Sequence, residues 1–332
     1  MEESNKSFFY VRFIIKFAFQ MKNVLFIVLI VIANFTSKQS IAGADKKMSV
    51  QVGGVNRSYL LHCSKDVMKS TEKVPLVIVL QGGVHSAKDM ITVTNFDKKA
   101  DKDKSVVVYP IALDNHWNDG RKVQDQPGML AYKEQDDVTF IDEIIKQVLA
   151  KYPVDKDRVF VTGIANGAMM CYRLACELSD KISAIAPVLG AMPSDIANDC
   201  KPKNGVHVIA INGAEDPLVP FKGGEITSGT LKLGKIEPVI KTMEFWANFG
   251  SEVKANKVRV TKKDMDHTDG TTVVTETYSN SKYEKDIKLF EIKGGGHAWP
   301  GAVQFLPPTE TGKVSREINA SDEIWKFFQK IY

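Results

Sequence analysis

The chain has 332 residues, room for one large or two small domains, and its 44% hydrophobic and 25% charged content is that of an ordinary globular protein. Residues 1–44 hold five basic and two acidic side chains, so without them the formal charge of +4 falls to about +1. No basic stripe remains, which excludes nucleic acid as an expected partner.

The N-terminus reads as a targeting segment. Lys22 precedes the apolar run Val24–Ala33, and Ala42-Gly43-Ala44 supplies small residues of the kind that precede cleavage. Ten apolar residues suit a signal peptide and are too few to span a bilayer. We expect residues 1–44 to be a signal peptide, with Met21 as the alternative start. Residues 45–332 are expected to form a single domain, secreted to the extracellular space or periplasm without a stable membrane anchor. Export permits disulfides among Cys63, Cys171, Cys176 and Cys200. Cys171 and Cys176, five apart on one predicted helix, point about 140° from each other. Cys176–Cys200 is the leading pair, and buried thiols remain the alternative for Cys63 and Cys171.

Along the mature chain, strands are expected at 48–52, 58–62, 75–80, 105–110, 158–162, 182–188 and 206–211. The segment Leu76–Leu80 is apolar throughout, as in a strand covered on both faces. Helical spacing of Val138, Ile141, Ile144, Ile145 and Val148 predicts a helix over 137–151, capped by Asp136 or Asp137. Further helices are expected at about 166–178 and 237–249. A last one closes the chain, with Ser321 as N-cap and Ile324, Trp325 and Phe328 inward. Later strands fall at 257–261, 271–278 and 287–292. Strands alternating with helices and glycine turns predict a mostly parallel, doubly wound α/β sheet with helices on both faces. The acidic turn Asp264–Gly270 lacks the spacing of a calcium loop, and no metal site or cofactor is expected.

Four features carry chemistry. Val159–Thr162 runs into Gly163-Ile-Ala-Asn-Gly167 and then a helical segment, the layout of a nucleophile elbow, but the central residue is Ala165 where a hydroxyl or thiol is expected. Gly82 and Gly83, after an inner strand, suit an oxyanion loop, with the backbone N–H of Asn166 as second donor. Asp216 stands at a strand end before a proline, placed to orient a histidine, with Glu215 as its local competitor. Of six histidines, His297 alone is framed by glycines on a late loop after a strand. The order elbow, Asp216, His297 is that of the α/β-hydrolases. Trp117 and Trp299 are candidate walls of a substrate cleft, with ordinary packing as the alternative.

Most of the mature chain resembles secreted poly(3-hydroxybutyrate) depolymerases and the related feruloyl and acetyl-xylan esterases. The matching stretches are Gln81-Gly-Gly83, Trp117–Gly120, Asp136–Ile141, Tyr152–Asp155, Arg158–Met170, Ala186–Gly190, Asp216–Pro220 and Gly296–Gly301. The resemblance implies an α/β-hydrolase fold, with Asp216 and His297 as triad acid and base and a nucleophilic serine at position 165. Gln81 stands where such esterases carry histidine. Expected ligands are a small ester, a polyester or a polysaccharide ester. Three readings stay open at this point: a weakened or inactive esterase, a binding pseudoenzyme, or an engineered Ser→Ala form of an active esterase.

Overall fold

Among the described residues, ten strands make one sheet in the order β1-β2-β4-β3-β5-β6-β7-β12-β11-β10. They are β1 (Lys46–Val52), β2 (Val55–His62), β3 (Val74–Leu80), β4 (Val106–Pro110), β5 (Val154–Ile164), β6 (Ala184–Val188), β7 (His207–Gly213), β10 (Asn256–Thr261), β11 (Thr272–Ser279) and β12 (Ile287–Lys293). β8 (Gly224–Ser228) and β9 (Leu231–Ile236) form a separate antiparallel hairpin. The computed structural model describes residues 46–332 apart from 124–134, 229, 252–253, 263, 280–283, 305 and 332. The expected signal peptide lies outside the described residues. Gly43–Tyr332 forms one compact unit.

The centre of the sheet, β4-β3-β5-β6-β7-β12, is parallel, and antiparallel strands extend it at both ends. Parallel strands are tied by crossover helices, so both faces are covered and the strands have no polar face. β3 shows this directly. Leu76, Ile78 and Leu80 enter one core with Phe140, Ile144 and Met170, while Val77 and Val79 enter the other with Met90, Phe96 and Phe328. The two cores lie on opposite faces because side chains alternate along a strand.

The principal helices are α1 (Ala87–Thr94), α2 (Phe96–Asp103), α3 (Asp137–Lys151), α4 (Asn166–Glu177), α5 (Val239–Asn248) and α6 (Ala320–Gln329). Asp136 caps α3, accepting from the Thr139 N–H at 2.9 Å. Ser321 does not cap α6. Asn319, extended at φ −101°, accepts from the Asp322 N–H, so the helix starts earlier than its apolar spacing suggests. Ser321 lies inside the helix and accepts from Trp299 Nε1 at 3.1 Å. α1, α2 and the β8–β9 hairpin went unread in the sequence. α2 is Phe-Asp-Lys-Lys-Ala-Asp-Lys-Asp, too polar to show an apolar stripe, and the β8–β9 hairpin has short strands without clean alternation.

The β4-β3-β5 order reverses the direction of winding. β3 leads to β4 on one side, and the chain then crosses back over β3 to β5. At such a switch point the loops after adjacent strands diverge and leave a crevice at their carboxyl ends. Here those loops are Gln81–Ser86 and the turn at 163–167.

Cys176, at the end of α4, is bonded to Cys200, with the buried Cys63 and Cys171 left as thiols. The bridge closes a loop of sequence separation 24, which corresponds to about 3 kcal/mol of chain-entropy stabilisation. The double Cys176→Ser/Cys200→Ser variant should lose stability of that order in urea unfolding, and a change below about 0.5 kcal/mol would show that the clasp is not structural. His207, at the start of β7, accepts the Asp286 N–H on Nδ1 at 3.0 Å. Burial, reinforced by Lys285 and opposed by Asp286, pushes its pKa down to about 4. A histidine favoured as neutral in the fold contributes stability that is complete above its unfolded pKa of about 6.5 and is lost as pH falls toward 4. Urea midpoints between pH 7 and 4 should therefore fall less steeply for His207→Gln than for the parent.

Candidate active site

The elbow is built as its glycines require. Ala165 sits between β5 and α4 at φ 54°, ψ −116°, a region that L-residues rarely occupy. Its N–H donates to Val188 O and its carbonyl accepts from the Met169 N–H, each at 3.0 Å. Gly167 is required by close approach. A Cβ there would stand 2.5 Å from Gln81 O and 2.7 Å from Leu80 O, so the first turn of α4 lies directly on the end of β3. The turn is over-determined by its surroundings, which is how such strain persists.

The Gln81–Ser86 loop runs alongside. A Cβ on Gly82 would lie 3.4 Å from the Ala165 Cβ, and one on Gly83 would lie 2.9 Å from His116 Nε2. Gln81 braces this loop. Its Nε2 donates to His85 O at 2.6 Å and to Asn115 Oδ1 at 3.4 Å, and its carbonyl accepts from Trp117 Nε1 at 2.9 Å.

Across the cleft, the turn after β12 brings His297 against the turn after β7. His297 Nδ1 lies 2.6 Å from Asp216 Oδ2, with side chains 11% and 2% exposed. Asp216 is held in place by its surroundings: its Oδ1 accepts the Leu218 and Val219 N–H groups, both at 2.8 Å. With Asp216 Oδ2 accepting a hydrogen bond from the Nδ1–H, His297 presents Nε2 as a base. Gly296 makes this placement sterically feasible, because a Cβ there would lie 2.2 Å from Thr311 O. Glu215, the sequence competitor of Asp216, does not contact His297.

These features open on one cleft of about 510 Å³. Ala165, Gly82, Gly83, Asn166, His297 and Trp299 all line it. Trp117 does not. It is fully buried, and its indole N–H is spent on Gln81 O, so it is a tie beneath the Gln81–Ser86 loop and not a wall of the cleft. Asn166, chosen for its backbone, also works through its side chain: Oδ1 accepts the Trp117 N–H at 2.7 Å, and Nδ2 donates to Trp117 O at 3.1 Å and to Asp119 Oδ2 at 2.6 Å.

Sequence reasoning did not single out His85, His116 or Arg121 as lining residues, yet all three line the cleft. Arg121 follows directly on the matched stretch Trp117–Gly120, the only signal that pointed to it. Burial lowers the His85 pKa, with Asp89 opposing and His297 adding to the shift, so His85 is held neutral beside the His297 base. Cys171 is no substitute nucleophile: it is fully buried, and burial pushes its thiol well above the usual range. Among the described residues, no group of three or more His, Cys, Asp or Glu side chains is arranged to hold a metal ion.

Asn166→Ala leaves the Trp117 backbone and Asp119 without these bonds. It should cost about 3 kcal/mol in denaturant unfolding, the scale for uncovering buried polar groups, and a loss under about 1 kcal/mol would show that the tie is dispensable.

Comparison with known proteins finds likeness to esterases. Residues 58–199 match the family described as Esterase PHB depolymerase. The chain is 29% identical over 277 residues to "Putative esterase NocK" of Nocardia uniformis subsp. tsuyamanensis, covering 82% of this chain and 79% of that protein. It is 30% identical over 186 residues to Feruloyl esterase B of Piromyces equi, covering 53% of this chain and 32% of that longer protein. Its fold overlays on the acetyl xylan esterase from Aspergillus awamori at a TM-score of 0.53 and 13% identity, covering 86% of this chain and 99% of that one. Over residues 58–199 the chain is therefore similar to the esterase PHB depolymerase family, and its fold is that of the α/β-hydrolases.

Proposed function

We propose that this cleft binds a carboxylic ester at the elbow and, lacking a nucleophilic hydroxyl, hydrolyses it slowly through water. The observation that carries the reading is the His297–Asp216 pair set across one cleft from a strained elbow whose tip is a methyl group. His297 Nε2 takes a proton from a water in the space a serine Oγ would fill, and the hydroxide attacks the ester carbonyl. The tetrahedral oxyanion is met by backbone N–H groups of the Gly82–Gly83 loop and Asn166. On collapse, the imidazolium returns its proton to the departing alkoxide, and Asp216 stabilises the cation meanwhile. No acyl-enzyme forms.

The magnitude of the defect follows from the chemistry. Loss of the serine from such a triad costs on the order of 10⁶ in turnover and leaves roughly 10³–10⁴ over water. A binding role without turnover is the second reading, favoured by Ala165 itself. The preceding signal-like segment and the Cys176–Cys200 bridge support a secreted protein.

Hydrolysis of p-nitrophenyl butyrate separates the readings. The protein should turn it over slowly, His297→Ala should abolish that turnover, and Ala165→Ser should raise it by at least about 10³. Turnover indifferent to His297 would leave only the binding role. A serine variant no faster than the parent would show that the surrounding machinery is not competent.

A further inference from the structure

Among the described residues lining the cleft, Arg121 is the one fully charged side chain. It is only 8% exposed, and its partner Asp119 only 2%. Nε donates to both Asp119 oxygens at 3.0 and 2.9 Å, Nη2 stands 2.8 Å from Asp119 Oδ2, and Nη1 donates to Leu233 O at 2.8 Å. A guanidinium has five N–H groups. These contacts use three and leave one N–H each on Nη1 and Nη2 of a side chain that lines a mostly apolar cleft.

The cation is rigidly placed. Gly234 of β9 packs on it, since a Cβ there would lie 2.9 Å from the Arg121 Cβ. Asp119 also receives Asn166 Nδ2 and the Arg121 N–H, so the pair is fastened to the first residue after the elbow. Buried charges that serve only packing have their donors filled, because each open donor costs free energy. Two donors held open on a residue of the cleft wall are a recognition feature.

We infer that Arg121 recognises the part of an ester ligand beyond the scissile carbonyl, and that the group it takes is a second, uncharged oxygen acceptor such as another ester carbonyl. The charge balance selects the uncharged acceptor. Arg121 and Asp119 together are neutral, so a neutral oxygen fills the donors without adding charge to the apolar cleft. A carboxylate would leave an unbalanced negative charge beside Asp119. The inference rests on the ester-binding reading of the cleft and adds to it which feature of the ester is selected.

The test is binding by the purified protein, followed by calorimetry. Dimethyl esters of succinic, adipic and suberic acids are compared with methyl esters of straight-chain acids of the same length and with the corresponding half-esters. At one length or more, the diester should bind about tenfold tighter than its monoester, the scale of a hydrogen bond from a charged donor. Arg121→Lys keeps the charge opposite Asp119 but loses the planar fork. It should erase the diester preference, the affinities of diester and monoester becoming equal at each length. Equal affinities at every length, tightest binding by half-esters, or a preference that survives in Arg121→Lys would each overturn the inference. Should thermal melting show that the variant does not fold, the parent's diester preference decides alone. Binding of monoesters without that preference would overturn only the role of Arg121, whereas no binding by any ester would overturn the ester-binding reading with it.

Discussion

The site hangs on one steric contact, the backbone of the first turn of α4 laid against the backbone at the end of β3. Gly167 permits it, and Leu80 and Gln81 form the other surface. Once these backbones touch, the corner between β5 and α4 has no room to relax, and residue 165 is held in its strained conformation whatever its side chain. The same contact brings the Gln81–Gly83 loop beside the elbow. Behind it, β3 and β5 are buried on both faces, so a slip in register would misplace every side chain in two cores at once. The precision of the cleft comes from this apolar frame.

The polar groups are fixed by a different device: each buried carboxylate at the site is anchored by N–H donors before it meets its functional partner. Asp216 takes two backbone N–H groups and then His297. Asp119 takes the Arg121 N–H and the Asn166 amide and then the guanidinium. Both carboxylates are therefore oriented independently of any ligand, as preorganised electrostatic sites require. The methyl of Ala165 is surrounded by polar groups arranged for chemistry that it cannot perform itself.

What the sequence made legible is what local patterns encode. Apolar runs such as Leu76–Leu80 announced the parallel strands, and glycines at fixed offsets announced the elbow. Strand-end positions picked out Asp216 and His297, and the distance between Cys176 and Cys200 along the chain suited a clasp. What stayed hidden depends on contacts between distant residues. Tryptophan type alone could not separate Trp117, buried under Gln81, from Trp299, which lines the cleft. Nor could the charges of Asp119 and Arg121 reveal that they pair, or that Asn166, 47 residues from Asp119, joins them to the elbow. The N-cap of α6 was misplaced because Ser321 and Asn319 are both good capping residues, and only the backbone at Asn319 decides between them.

The strained corner persists with alanine at its tip, which separates presentation from reactivity. The frame does not use the chemistry of residue 165 to hold its shape, so any small side chain there is displayed to the cleft at the same point, between His297 and the Gln81–Ser86 loop. Position 165 is in this sense an addressable socket: the fold supplies the aim, and the identity of a few atoms on one Cβ decides the chemistry displayed there.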